Sequence, residues 1–270
     1  MGMDLSAIKS KLNALQNQRQ GGQKRDMSLI LWKPTVGKHS VRIVPSKLDA
    51  SNPFTEIRVY YGIGNRTMVS LENFNEKDPI AEFVKQLRNS GDKENWSLAK
   101  KLEAKSRYFV PVVVRGEEEK GVRLWEFGKQ VFQELLSIAD DPDVGDYTDI
   151  VEGRDITIET TDAASNGTGF NQSKVRVRTK TTPLSDNAPS VQKWLTEQPE
   201  PLSIFRRYSY DEMKTSLLEW LNPEEATEEA APVPAVPAVA DQATVPSYSL
   251  NTKKATSIDE EFDELFKIKK

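Results

Sequence analysis

Cysteine is absent from this chain and histidine occurs once, as His39. Without thiols there is no disulfide framework and no thiolate metal site, and a single imidazole builds no histidine cluster. His39 reads as an ordinary residue at the start of a strand. No apolar run approaches the roughly 18 residues of a membrane-spanning helix, and the N-terminus shows no apolar signal-peptide stretch. A surplus of positive charge is also missing: 37 Lys and Arg stand against 41 Asp and Glu, a formal net charge of −4. That balance is uneven, because residues 221–270 carry ten carboxylates and only five lysines. The remainder is close to neutral and can hold a local basic face. A soluble, intracellular protein is expected, with a sizeable core in one large domain or two small ones.

Residues 3–20 predict a short amphipathic helix, with Leu5, Ile8, Leu12 and Leu15 at helical spacing before Gly21 and Gly22 break it. A helix this short is marginal alone, so it is expected to dock on its own domain or on a neighbouring copy. From Leu29 the pattern turns to short β-rich runs, SLILWKP, HSVRIVP, EIRVYYG and NRTMVSL, bounded by Pro, Gly and Asn. In HSVRIVP the alternation buries Val41 and Ile43 and turns Arg42 outward. Asp78 and Pro79 start a helix with Ile80, Phe83, Val84 and Leu87 as its buried stripe. RYFVPVVVR and GVRLWEFG, separated by the acidic loop 117–120, predict a hairpin. A helix over about 129–139 follows, then the strands RDITIETT and KVRVRTKT around a Gly-rich loop at 166–171. Helices near 191–198 and 210–221 close the body, the second with Ser209 and Glu212 at capping-box spacing.

About seven strands with inserted helices, and no βαβ alternation with Gly-rich phosphate turns, predict an α+β fold. A small OB-fold-like barrel with helical additions fits best, spanning 23–221 after the N-terminal helix at 1–22. Residues 222–256 are rich in Pro and Ala and predict an extended, disordered spacer. Residues 257–270 form an acidic amphipathic tail: Asp259, Glu260, Glu261, Asp263 and Glu264 are its charges, and Phe262, Leu265 and Phe266 share one helical face with Ile258.

The segment DKENWSLAKKLEAKSRYFVPVVV, residues 92–114, interleaves Lys93, Lys100, Lys101, Lys105 and Arg107 with Trp96, Tyr108 and Phe109. Cations track a phosphate backbone and flat rings stack on any base, a combination suited to single-stranded nucleic acid. The competing reading is a solvated basic helix with its rings turned into a core. Lys100, Lys101 and Lys105 are expected close together on a helical turn. Arg42, Lys47, Arg58 and Arg66 make a second cationic group, and Lys174 lies beyond the Gly-rich loop. Trp125 suits core burial and stacking equally. Tyr60 and Tyr61 point to opposite faces of a strand, and Tyr60 is favoured for the groove. Phe170, in a polar loop where a core ring is out of place, is the strongest stacking candidate. Asp140, Asp141, Asp143, Asp146 and Asp149 could suggest a metal-dependent nuclease, but such a run in a loop reads more simply as solvated turns.

Four motifs in one order, VRIVPSKLDASNPF (41–54), KENWSLAKKLEAKSRYFVPVVV (93–114), GVRLWEFGKQVFQELLSI (121–138) and GRDITIETT with GTGFNQSKV (153–161 and 167–175), resemble the single-stranded-DNA-binding, helix-destabilising proteins of T-even-type tailed bacteriophages. The likeness covers roughly residues 5–185. It implies a cooperative, sequence-tolerant coat on single-stranded DNA in phage replication, recombination and repair, in the cytoplasm of an infected bacterium. It further implies self-association through the N-terminal helix, with Lys9, Lys11 and Arg19, and recruitment of replication proteins by the acidic tail. Lys267, Lys269 and Lys270 depart from the family's fully acidic ends. A structural zinc on one His and three Cys, in a subdomain with a Cys-Pro-Val-Cys element, is also implied by the resemblance. The corresponding stretch here is Asp78-Pro79-Ile80-Ala81, so the expectation is a subdomain kept without metal or other cofactor by its capped apolar helix. The rivals are the nuclease and a protein-interaction adaptor acting through spacer and tail.

Overall fold

The computed structural model describes residues 27–64 and 66–222. The expected N-terminal helix, spacer and acidic tail lie outside them. The described residues form a mixed α+β structure in two units, one of residues up to 55 and 108–201, the other of residues 56–107 and from 202 onward. The strands are Leu31–Trp32 (β1), Gly37–Ile43 (β2), Thr55–Ile63 (β3), Arg66–Val69 (β4), Lys105–Val114 (β5), Arg123–Phe127 (β6), Arg154–Thr161 (β7) and Gln172–Thr181 (β8). The α-helices are Pro79–Asn89 (α1), Lys93–Leu102 (α2), Lys129–Ala139 (α3), the single turn Ala163–Asn166 (α4), Ala188–Thr196 (α5) and Tyr210–Leu221 (α6).

In the first unit the strands run in the order β1-β6-β5-β2-β7-β8. The short β1 pairs in parallel with β6, and the remaining neighbours are antiparallel. The acidic loop closes the expected β5–β6 hairpin through a 3-10 turn at Glu118–Lys120. From Tyr108 onward β5 is buried on both faces, which is why it reads as one apolar run and not as an alternation. Val110 and Val112 enter a cluster with Trp32, Val41, Ile43, Trp125, Phe127, Ile156 and Ile158, while Val113 joins Val44, Val122, Leu184 and Trp194 on the other side. Helix α3 lies where its apolar spacing predicts and buries Val131 and Leu135. Helix α5 begins earlier than expected, because Asn187 caps it at Ser190 N–H and Pro189 suits its first turn.

Arg42 is not on the outward face that strand alternation implied: it is fully buried. Its Nη2 donates to the carbonyls of Asp149 and Thr182, each at 2.7 Å, and its Nη1 donates to Thr182 Oγ1 at 3.2 Å. Asp155 lies 3.6 Å from Nη1 and is shared with Arg115 at 2.9 Å. Burial pulls the guanidinium below its usual pKa, opposed by Asp155. Gly153 is pressed against this cluster. A Cβ there would stand 2.3 Å from the Asp149 carbonyl oxygen and 2.5 Å from Arg42 Nη2. Gly153→Ala should therefore lower stability by about 1–3 kcal/mol, the usual cost of overpacking, measured as a shift of the urea midpoint; an unchanged midpoint would contradict this packing.

In the second unit the β3–β4 hairpin is covered by α1, α2 and α6 through Tyr60, Ile63, Met68, Leu71, Ile80, Phe83, Leu87, Leu98, Leu102, Met213, Leu217 and Leu221. The capping box of α6 forms as its spacing predicts: Glu212 N–H donates to Ser209 Oγ at 3.2 Å, and Ser209 N–H donates to Glu212 Oε2 at 2.8 Å. Asp78 caps α1 and is itself buried.

Candidate nucleic-acid interface

In the first unit the loop between β7 and β8 presents Phe170 with 64% of its surface exposed. The loop is pinned from within. Asp162 Oδ1 accepts from Ser165 N–H at 2.6 Å, Asn171 Oδ1 accepts from Ala163 N–H at 3.1 Å, and the Phe170 carbonyl accepts from Asn166 Nδ2 and Thr168 Oγ1, both at 3.0 Å. The hydrogen bond from Ser165 N–H holds the Asp162 carboxyl below its usual pKa. Gly167 and Gly169 sit at φ 69° and 74°, conformations that side chains other than glycine rarely adopt. The result is a bare aromatic ring on a pre-ordered backbone, suited to stacking without a large ordering cost.

Beyond the loop, β8 carries Lys174, Arg176, Arg178 and Lys180, all exposed, while Val175 and Val177 pack inward. Only Lys174 belongs to the cationic set read from sequence. The period-two pattern of KVRVRTKT is the signal that identifies the other three. Lys47 is exposed, but its Nζ donates to the Gln198 carbonyl and its backbone N–H donates to Gln198 Oε1 at 2.9 Å.

In the second unit Trp96 on α2 is 49% exposed. The Arg88 guanidinium lies 4.4 Å from its ring centroid and the Lys100 ammonium 5.9 Å, so cations crowd an accessible ring. Arg88 has no sequence signal for this role; the packing of α1 against α2 brings it there. Lys100 and Lys101 are exposed on the last turn of α2. Lys105 is exposed too, but on β5 and not on the expected helical turn, because α2 ends at Leu102. Arg107 is half-buried and Arg66 exposed. Arg58 is exposed and paired with Glu72 at 2.6 Å, which reduces what it offers a phosphate.

Three aromatic candidates are corrected. Tyr60 is 2% exposed and faces the core beside Met68; burial and the nearby Asp78 carboxylate push its phenol far above the usual range. Tyr61, on the opposite face, is the exposed ring of the pair at 46%. Trp125 is buried edge-on against Trp32. Tyr108 is buried and stacked on Phe132 with centroids 3.9 Å apart. None of the three presents a face to a base in this fold. Arg42, sealed as described above, presents no donor to a phosphate.

Three of the five aspartates at 140–149 act as turn formers. Asp141, Asp146 and Asp149 each accept backbone N–H groups two or three residues ahead. Among the described residues no three of His, Cys, Asp or Glu are grouped for a metal ion. A zinc at the Asp78-Pro79 position does not fit the donors present. Asp78 Oδ1 accepts from Ile80 N–H at 2.9 Å and Ala81 N–H at 3.0 Å, and Oδ2 accepts from Ser70 Oγ at 2.6 Å and Leu71 N–H at 2.9 Å. Both oxygens are committed. No helix among the described residues is long and apolar enough to cross a membrane.

A family model described as gp32 DNA binding protein like matches residues 35–219. A search of curated proteins gave no match. Because the matched region spans well over half of the chain and contains both units' exposed rings and cations, the protein belongs to the gp32-like DNA-binding family.

Proposed function

We propose that the protein is a sequence-tolerant, cooperative binder of single-stranded DNA that coats exposed strands during phage replication, recombination and repair in the host cytoplasm. It works by stoichiometric binding, without turnover, metal or cofactor. The observation that carries this reading is Phe170, an exposed ring on a pinned loop that leads directly into the cations of β8. Base stacking on such a ring is indifferent to base identity, and cations on the following strand meet the backbone. Trp96 with Lys100 and Lys101 supplies a second ring-and-cation set. We assign the strands of the first unit to a partly open OB-type barrel, the N-terminal helix with Lys9, Lys11 and Arg19 to contacts between neighbouring copies, and the acidic tail to recruitment of replication proteins.

The test is a titration of oligothymidine across salt concentrations with the full chain and with Phe170→Ala. The variant should lose about 1–3 kcal/mol of affinity, the measured range for one stacked base. Its salt slope should be unchanged, because no phosphate contact is removed. Failure of the unaltered protein to bind oligothymidine would overturn the reading.

A further inference from the structure

We infer that the outward face of β8 is a phosphate track, on which Lys174, Arg176, Arg178 and Lys180 hold successive backbone phosphates of the strand whose base stacks on Phe170. This rests on the single-stranded-DNA reading above and assigns Arg176, Arg178 and Lys180 a role that the cation-rich segment at 92–114 does not cover.

Lys174 and Arg176, in regular register with Glu159 and Thr157, project to one side about 6.7 Å apart, a separation comparable to that of successive phosphates along an extended, unstacked strand. The register then shifts, and Arg178 and Lys180 continue the cations from the exposed irregular stretch before Thr181. Among the described residues none of the four is held by a carboxylate. Of the anions on β7 opposite them, Glu159, across from Lys174, is 3.6 Å from Lys38 of β2, and Asp155, opposite the stretch 178–180, is buried and shared by Arg42 and Arg115. Arg176 faces Thr157, a neutral neighbour. Two of the four are arginines, whose planar fork engages phosphate oxygens two at a time.

A row of charge on an edge strand can also serve to prevent pairing with another sheet. Here that edge is already engaged from α3: Glu134 Oε2 accepts from Val175 N–H at 3.4 Å. Protection of the edge therefore does not require four unneutralised cations. The track ends at Lys180, where a cavity of about 810 Å3 opens between β8 and α5. Asp155, Glu118, Glu119 and Asp186 line it alongside Arg115 and Lys193, and walls of mixed sign do not extend a path for phosphates.

The experiment compares the full chain with Arg176→Gln/Arg178→Gln and Arg176→Lys/Arg178→Lys, titrating an oligothymidine of about 16 nucleotides. The glutamine pair should flatten the plot of log affinity against log salt by about 1.4, two contacts at about 0.7 each; the lysine pair should keep the slope. In the unaltered protein, bound oligothymidine should protect Lys174 and Lys180 from acetylation. If the unaltered protein binds while the glutamine pair keeps both slope and affinity, the track is wrong though the function stands. If the unaltered protein does not bind at all, the function itself fails. Protection of both lysines without oligonucleotide, lost on removing residues 257–270, would overturn the track by giving the face to the acidic tail.

Discussion

Arg42→Ala should destabilise the fold by about 3–5 kcal/mol, the usual range when one partner of a buried ion pair is removed. The loss is large because three acceptors depend on one guanidinium. The Asp149 and Thr182 carbonyls each take a 2.7 Å bond from Nη2, and Asp155 is left to Arg115. Against a typical total stability of about 5–15 kcal/mol, Tm should fall by about 6–20 °C, at about 2–4 °C per kcal/mol for a domain of this size. Arg42→Lys keeps the charge but cannot span both carbonyls and the Thr182 hydroxyl, so it should recover only part of the loss. At temperatures where Arg42→Ala remains folded, its salt slope for oligothymidine should match the unaltered protein. A normal Tm with a slope flattened by about 0.7 would instead make Arg42 a phosphate contact and refute its burial.

Asp78→Ala should cost about 3–8 kcal/mol in the second unit. Loss of a helix N-cap contributes about 1–2 kcal/mol, and the buried Leu71 N–H and Ser70 hydroxyl left without an acceptor contribute about 1–3 kcal/mol each. Asp78→Asn separates these effects. Its remaining oxygen still caps Ile80 and Ala81, while its amide turns a donor toward Leu71 N–H, so about half the loss should return. Faster hydrogen exchange of α1 is the local readout. Chelator should leave Tm and DNA affinity of the unaltered protein unchanged, since both Asp78 oxygens are committed to Ser70, Leu71, Ile80 and Ala81. A chelator-induced fall in Tm, or an Asp78→Ala cost below about 1 kcal/mol, would sink this account.

The site was only partly legible in advance. Phe170 and Trp96 stand out in sequence and are exposed, because a polar Gly-rich loop and a Lys-rich helix offer a ring no enclosure of their own. Trp125, Tyr108 and Tyr60 belong to equally aromatic segments and are buried. For them the surroundings come from residues far along the chain: Trp32 beside Trp125, Phe132 on Tyr108, Met68 and α1 around Tyr60. The cations of β8 were written in the alternation of KVRVRTKT, but a pattern of period two states only that one face differs from the other.

What this sequence determines alone is local: the extents of α3 and α6, the Asp78 and Ser209 caps, the β5–β6 hairpin and the pinned loop around Phe170. Each is specified by hydrogen bonds and apolar spacing within a few residues. Tertiary structure alone decides which sheet face is covered. Residues 149 and 182, more than a hundred positions from Arg42, close over it and turn an outward cation into an interior one, while no segment among the described residues gives the row on β8 a carboxylate partner. Alternation sorts side chains into two sets; only distant chain arriving on one of them excludes water from it.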